Sequence, residues 1–262
     1  TKTKTLSARD RHNLVRIDNM AVPGQEKGPL FTSPEFDVLV EKLKKARDEK
    51  RTITCFIGAH VIKCGLSRYL IWLMENGYIT HLASNGAGSI HDFELAYLGG
   101  TSEHVPAAIE DGSFGMWEET GRWMNEAIRE GDAHGYGYGQ SLAAYIDAHP
   151  ERFPNKQDCV FYRAFQMGVP MTYHVTIGTD IIHQHPYADF GAIGRTSGVD
   201  FAYFCHSISA LDGGVHMNIG SAVTGAEVFF HCAQPGLSDL SDHNRQLRYS
   251  ADGRLSYRYR KR

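Results

Sequence analysis

Apolar and polar positions alternate between two periods along the chain. Four short apolar, β-branched runs end in polar or glycine-bearing loops: TITCFIG (52–58), YITHLAS (78–84), VPMTYHVTIGTD (169–180) and LDGGVHMNIGS (211–221). These read as strands, and helical spacing follows the first two at 66–77 and 89–99 and the last at 222–233. Ahead of them, residues 33–50 combine a Ser33 N-cap, Pro34 at the first helical position and apolar residues at 36, 39, 40, 43 and 46, which predicts a helix. Tandem strand–loop–helix units predict an α/β fold with a doubly wound, mostly parallel, Rossmann-like sheet.

Residues 101–131 have helical spacing broken at 112–115 and read as a helical insertion over the sheet. The run GDAHGYGYGQ (131–140) is dense in glycine and reads as a loop. Further helices are expected at 141–153, 158–168 and around 198–210. Residues 1–34 lack sustained periodicity and read as an arm. The core α/β domain is placed at 35–240. The tail, 241–262, has Asp252–Gly253 between two alternating runs, the pattern of a β-hairpin, and seven of the last 18 residues are Lys or Arg. Such a tail could touch nucleic acid or an acidic protein, but a solvated edge strand defended by charge is the simpler reading.

Composition narrows the function classes. The 262 residues carry 27 Lys+Arg against 30 Asp+Glu, a formal charge of −3, so no bulk electrostatic case exists for nucleic acid or an anionic membrane. No apolar run reaches the roughly 18 residues of a membrane span, and the amino end has no hydrophobic signal core, so a cytoplasmic protein is expected. Five cysteines without a Cys-x-x-Cys pair read as reduced thiols. The 14 histidines cluster near the loops.

In an open parallel sheet, ligands bind at the carboxyl ends of the strands. Four loops fall there. The first, GAHVIKCG, offers Gly58, Ala59, His60 and Lys63. The second, SNGAGSIHDFE, offers Asn85, Gly86, Ala87, Gly88, His91, Asp92 and Glu94, with His91 and Glu94 on one helix face. The third carries Asp180, His183 and His185; on extended backbone the two histidines would share a face and could hold a metal with Asp180 or Asp189. The fourth is GGVHMNIGS, with His216. Neither GxGxxG nor GxxxxGK[ST] is present, and each glycine could equally serve an ordinary strand-to-helix turn.

Taken in order, the strings GAHVIK, NGAGSIHDFE, GTDIIHQHP and GGVHMNIGSAV resemble the deoxyhypusine synthase family, in particular its bacterial branch, over roughly residues 35–232. Gly58, Ala59, Gly65, Leu66 and Arg68 are similar to the family's first loop, Asn85, Gly86, Ala87, His91 and Asp92 to its second, Thr179 and Asp180 to its "TD" segment, and Gly213, Gly214 and Val215 to its Gly-Gly-Val turn. The resemblance implies a doubly wound NAD-binding fold, a homotetramer, and a polyamine-like substrate beside the nicotinamide. In the family a lysine shortly after the Gly-Gly-Val turn takes the aminobutyl group as an imine. This chain has His216, Met217 and Asn218 there, and no Lys between Lys156 and Lys261.

The resulting expectation is an NAD-dependent transferase or oxidoreductase acting on a small amine, not deoxyhypusine synthesis by the usual imine route. Gly58, Ala59, His60, Asn85, Gly86, Ala87, Gly88, His91 and Asp92 would bind NAD. Asp180, His183, His185 and His216 would hold the amine and move protons, with Lys63 as the replacement amine. No metal ligand set is assigned. The alternatives are a metal-dependent hydrolase built on the HQH loop and a non-catalytic nucleotide-binding member of the fold.

Overall fold

The computed structural model describes residues 4–26, 28–234, 248–249 and 255–256. Four parallel strands, β2 (Ile53–Ile57), β3 (His81–Asn85), β5 (Met171–His174) and β6 (Val215–Ile219), form a sheet in the order β5-β3-β2-β6. β2 pairs with β3 (Thr54 beside His81) and with β6 (Ile53 beside Val215), and β3 pairs with β5 (Leu82 beside Met171). The chain thus steps outward from β2 to β3 to β5, then returns to the other side of β2. That reversal sits between β2 and β6.

Helices cover both faces, because successive strand residues point to opposite sides. Cys55, Ile57, Leu82 and Tyr173 belong to the larger core, with residues of α2 (Ala59–Lys63), α3 (Ser67–Glu75), α4 (Gly86–Leu98), α6 (Glu118–Ala133), α7 (Tyr138–Ala148) and α8 (Val160–Met167). Phe56 and Ala83 face a smaller core with Phe204, Cys205 and Ile208 of α9 (Phe190–Ser209) and Cys232 of α10 (Thr224–Cys232). Trp117 and Trp123 lie in the larger core, while Trp72 is exposed and stacks on Tyr78. Cys64 is exposed and the other four cysteines are buried free thiols.

Helix α1 (Pro34–Asp48) begins where the cap pattern predicts, with the Ser33 hydroxyl accepting the Phe36 N–H. The glycine-rich run 131–140 departs from expectation: α6 continues to Ala133 and α7 starts at Tyr138. Gly139 permits close packing there, since a β-carbon on it would lie 2.0 Å from the Met171 carbonyl oxygen. Helix α9 also starts earlier than 198, at Phe190. Burial of Ile193, Thr196, Asp200 and Phe204 holds it despite three internal glycines.

The amino-terminal arm lies on the larger core's side. β1 (Val15–Arg16) pairs antiparallel with β4 (Gly100–Thr101), and Leu6 bridges to Trp117. Helix α5 (Val105–Asp111) precedes α6. β7 (Arg248–Tyr249) pairs antiparallel with β8 (Leu255–Ser256), as a hairpin requires; the Asp252–Gly253 turn lies outside the described residues. Among the described residues no helix is long and apolar enough to cross a membrane.

Candidate functional site

Of the four expected loops, the first is helical over Ala59–Lys63 and the second is the start of α4. These two and the turn after β5 supply residues to two cavities at the carboxyl edge of the sheet, while residues 213–221 line neither. The turn after β5, residues 175–181, runs between them. Its first half, with His174, lines a cavity of about 530 Å³ closed by Ser197, Gly198 and Phe201 of α9 and by Val223, Thr224 and Val228 at the start of α10. Its second half, Thr179 to Ile181, lines a cavity of about 210 Å³ with Lys63, Ala87, His91, Glu94, Glu103 and Arg11.

The larger cavity is walled chiefly by aliphatic and aromatic carbon, with hydroxyls at Thr176, Ser197 and Thr224, the His174 ring and the Glu227 carboxylate. Gly194 and Gly198 open its floor, for a β-carbon at either would meet nothing within 4 Å. Its volume falls in the range of ligand pockets. None of the residues expected to bind NAD lines it.

The smaller cavity is ionic. Arg11 donates Nη1 and Nη2 to the two oxygens of Glu94 at 2.9 and 2.7 Å, and both side chains are buried. That pair cancels its own charge, leaving Lys63 against Glu103 and Asp180. Burial pushes the Glu103 carboxyl up from the ordinary range. Burial also pushes Asp180 up to about 7, and its Oδ2 has no hydrogen-bond partner among the described residues.

Asp180 is held by its own turn. The segment Ile181–Gln184 is a single 3-10 turn, in which the Asp180 side chain accepts the His183 N–H while His183 Nδ1 accepts the Asp180 and Gly178 N–H groups at 3.3 and 3.0 Å. His183 therefore carries its proton on Nε2, a buried atom without a partner, 3.9 Å from Asp180 Oδ2. Burial lowers the pKa of His183 and of His185.

The turn corrects the expectation of a shared histidine face. On a 3-10 turn, residues two apart diverge: His185 donates Nε2–H to the Gly115 carbonyl at 2.9 Å and packs its ring on Gly121 of α6. Among the described residues no group of three His, Cys, Asp or Glu could hold a metal.

Gly58 lies where β2 and β6 part, its N–H donating to the Ile219 carbonyl, and a β-carbon on it would lie 2.0 Å from the Gly220 oxygen. Ala59 is buried beside it and His60 is exposed. Asn85 caps α4 by accepting the Gly88 N–H at 3.0 Å, and Gly88 makes room for Ser84. Asp92 turns away from the edge and accepts the Val160 and Phe161 N–H groups at the start of α8; burial raises it to about 6. His216 lies one residue into β6, bonded to Thr54 at 2.8 Å and stacked on Phe229, and burial lowers it to about 4. It is apart from both cavities, because a strand residue near the amino end cannot reach the carboxyl edge.

Arg11 and Thr101 were not expected in the site. Arg11 comes from the arm, and no local pattern pairs it with Glu94, 83 residues away.

No protein-family model matches the chain, and no curated protein matches it by sequence. Among solved structures, apo ArgZ, an arginine dihydrolase from the ornithine–ammonia cycle in cyanobacteria, is similar at 17% identity over 79% of this chain, with a TM-score of 0.51. That likeness supports an α/β fold. This chain spans 27% of the length of ArgZ. Weaker likenesses are AgrE in ternary complex with ornithine and NAD+ (17% identity, 80% of this chain and 28% of AgrE, TM-score 0.44) and a LOR/SDH protein from Methanococcus maripaludis S2 (13% identity, 85% and 76%, TM-score 0.38).

Proposed function

We propose that the chain is an NAD-dependent oxidoreductase or transferase acting on a small amine, built on a doubly wound dinucleotide-binding sheet. The observation that carries the reading is the β5 turn standing between an apolar, hydroxyl-fringed cavity and an ionic one. The parallel sheet supports it, since open α/β sheets bind ligands beyond the carboxyl ends of their strands. The resemblance of the four loops to deoxyhypusine synthase points the same way.

The larger cavity suits NAD: aliphatic walls for its rings, and Thr176, Ser197 and Thr224 hydroxyls for its ribose. When bound, NAD supplies a hydride acceptor. The smaller cavity suits the amine, because Glu103 and Asp180 outnumber Lys63 once Arg11 and Glu94 are paired. Asp180, on the wall of this cavity with burial raising its carboxyl to about 7, serves as the base for the amine proton. Lys63 brings a primary amine to the same wall, where a transferase could carry a group as an imine.

The test is a screen of diamines, polyamines and amino-bearing metabolites with NAD, read by the absorbance of reduced nicotinamide. Turnover of one class supports the reading. NAD binding without turnover of any amine would favour the non-catalytic alternative.

A further inference from the structure

The hydrogen-bonding state of one ring nitrogen in the smaller cavity is dictated by its neighbours. Glu94 accepts on both oxygens: besides Arg11, Thr120 Oγ1 donates to Oε1 at 2.9 Å and Thr101 Oγ1 to Oε2 at 2.5 Å. A threonine hydroxyl has one proton. With that proton on Glu94, the Thr101 oxygen can only receive from His91 Nδ1, 2.7 Å away. His91 is thus the Nδ1–H tautomer, and its Nε2 is a bare lone pair. Burial keeps the ring neutral, lowering its pKa to about 4 against the raising influence of Glu94, with the Lys63 and Arg11 charges assisting. Among the described residues nothing bonds Nε2, and His91 lines the cavity with Lys63 and Asp180.

We propose that His91 is a specificity-determining residue whose Nε2 accepts a hydrogen bond from the amino group of the substrate, its tautomer fixed by the chain Thr101–Glu94–Arg11. This rests on the amine reading above and adds to it. A locked acceptor favours ligands that present an N–H at this point and rejects acceptor-only groups such as a carboxylate or a ketone, because two lone pairs would then face each other in a buried site. Thr101 and Glu94 are positioning residues; they act on the ligand through the ring.

The test has two independent arms, both on the full chain. Nitrogen-15 NMR of the imidazoles reads the tautomer without any ligand: we expect a protonated Nδ1 and a bare Nε2 at His91, loss of that pattern in Thr101→Val and its retention in Thr101→Ser. Calorimetric titration with putrescine in the presence of NAD reads the contact, and His91→Phe is expected to weaken putrescine by about tenfold or more with NAD affinity unchanged. A protonated Nε2 in the unsubstituted protein overturns the proposal. So does a bare Nε2 combined with unchanged putrescine affinity in His91→Phe. If the tautomer is as expected but the unsubstituted protein binds NAD and neither binds putrescine nor oxidises any amine, the amine reading has failed and the ligand half of the proposal falls with it.

Discussion

Asp180 Oδ2 rests against the α-carbon of Gly86: a β-carbon built on Gly86 would lie 1.9 Å from that oxygen. The first residue of α4 must be glycine for the carboxyl to sit where it does, so the second and third loops are fitted to each other. Burial there is what raises Asp180 to about 7. A base works when deprotonated, so kcat/KM for the amine is expected to rise with pH through about 7 and level off above it. Asp180→Asn should lower kcat/KM by about 10²–10⁴-fold and remove that rise. A pH profile of Asp180→Asn that keeps the rise would assign the proton to another group.

Gly198 offers a substitution whose two effects have opposite signs. A leucine there has open space, since a β-carbon meets nothing within 4 Å, and it projects toward the larger cavity. Replacing glycine within α9 should add up to about 1 kcal/mol of helix stability. NAD affinity should fall by more than about tenfold, because the side chain takes space from the ligand. Thermal denaturation and calorimetry on Gly198→Leu check the two halves separately. An unchanged NAD affinity would place the dinucleotide elsewhere on the edge.

The Arg11–Glu94 pair ties the arm to α4 inside the core. Arg11→Met leaves Glu94 buried with its strongest partner gone, and is expected to destabilise the protein by about 3–5 kcal/mol in chemical denaturation. A loss below about 1 kcal/mol would mean that the arm is not an integral part of the folded unit.

Stability should peak slightly below neutral pH. Asp92, Asp180 and Asp200 are raised by burial to about 6, 7 and 8. A carboxyl raised in the folded state keeps a proton the unfolded chain has lost, so its contribution is present at low pH and is lost as pH rises toward the folded value. His81, His174, His91 and His216 are lowered by burial to about 3, 3, 4 and 4. They act oppositely: their contribution is present above about 6.5 and is lost as pH falls below it. Between about pH 4 and 6 the four histidines slightly outweigh the three carboxyls; above about 6.5 Asp180 acts up to about 7 and Asp200 up to about 8, at about 1.4 kcal/mol per pH unit each. A melting temperature that is highest near pH 6 to 6.5 and falls on both sides is expected. A temperature that climbs steadily to pH 9 would contradict these burials.

What was legible in the sequence follows from how local each signal is. The Ser33 cap, the β2 and β3 runs and their following helices are set by residues within a few positions of one another and appear in the expected order, although α2 forms inside the expected first loop and α4 starts at Gly86, inside the expected second. Strand order is non-local, and no spacing places β6 beside β2. Glycine is the ambiguous letter: at Gly131, Gly139 and in α9 it marks close packing or an open cavity wall, whereas Gly135, at φ 74° between α6 and α7, marks a break. The HQH reading failed because it assumed extended backbone where the Asp180 cap winds a 3-10 turn. The larger cavity escaped notice because its walls are ordinary valines, glycines and hydroxyls, whose meaning comes from the crossing of α9 and α10.

Calorimetric titration of the full chain with NAD reads the proposed cofactor site without intermediaries. One saturable site with a dissociation constant of about micromolar order is expected. No heat of binding at about millimolar NAD, a free energy too small for a working cofactor site, would contradict it and remove the hydride acceptor on which the proposed chemistry depends.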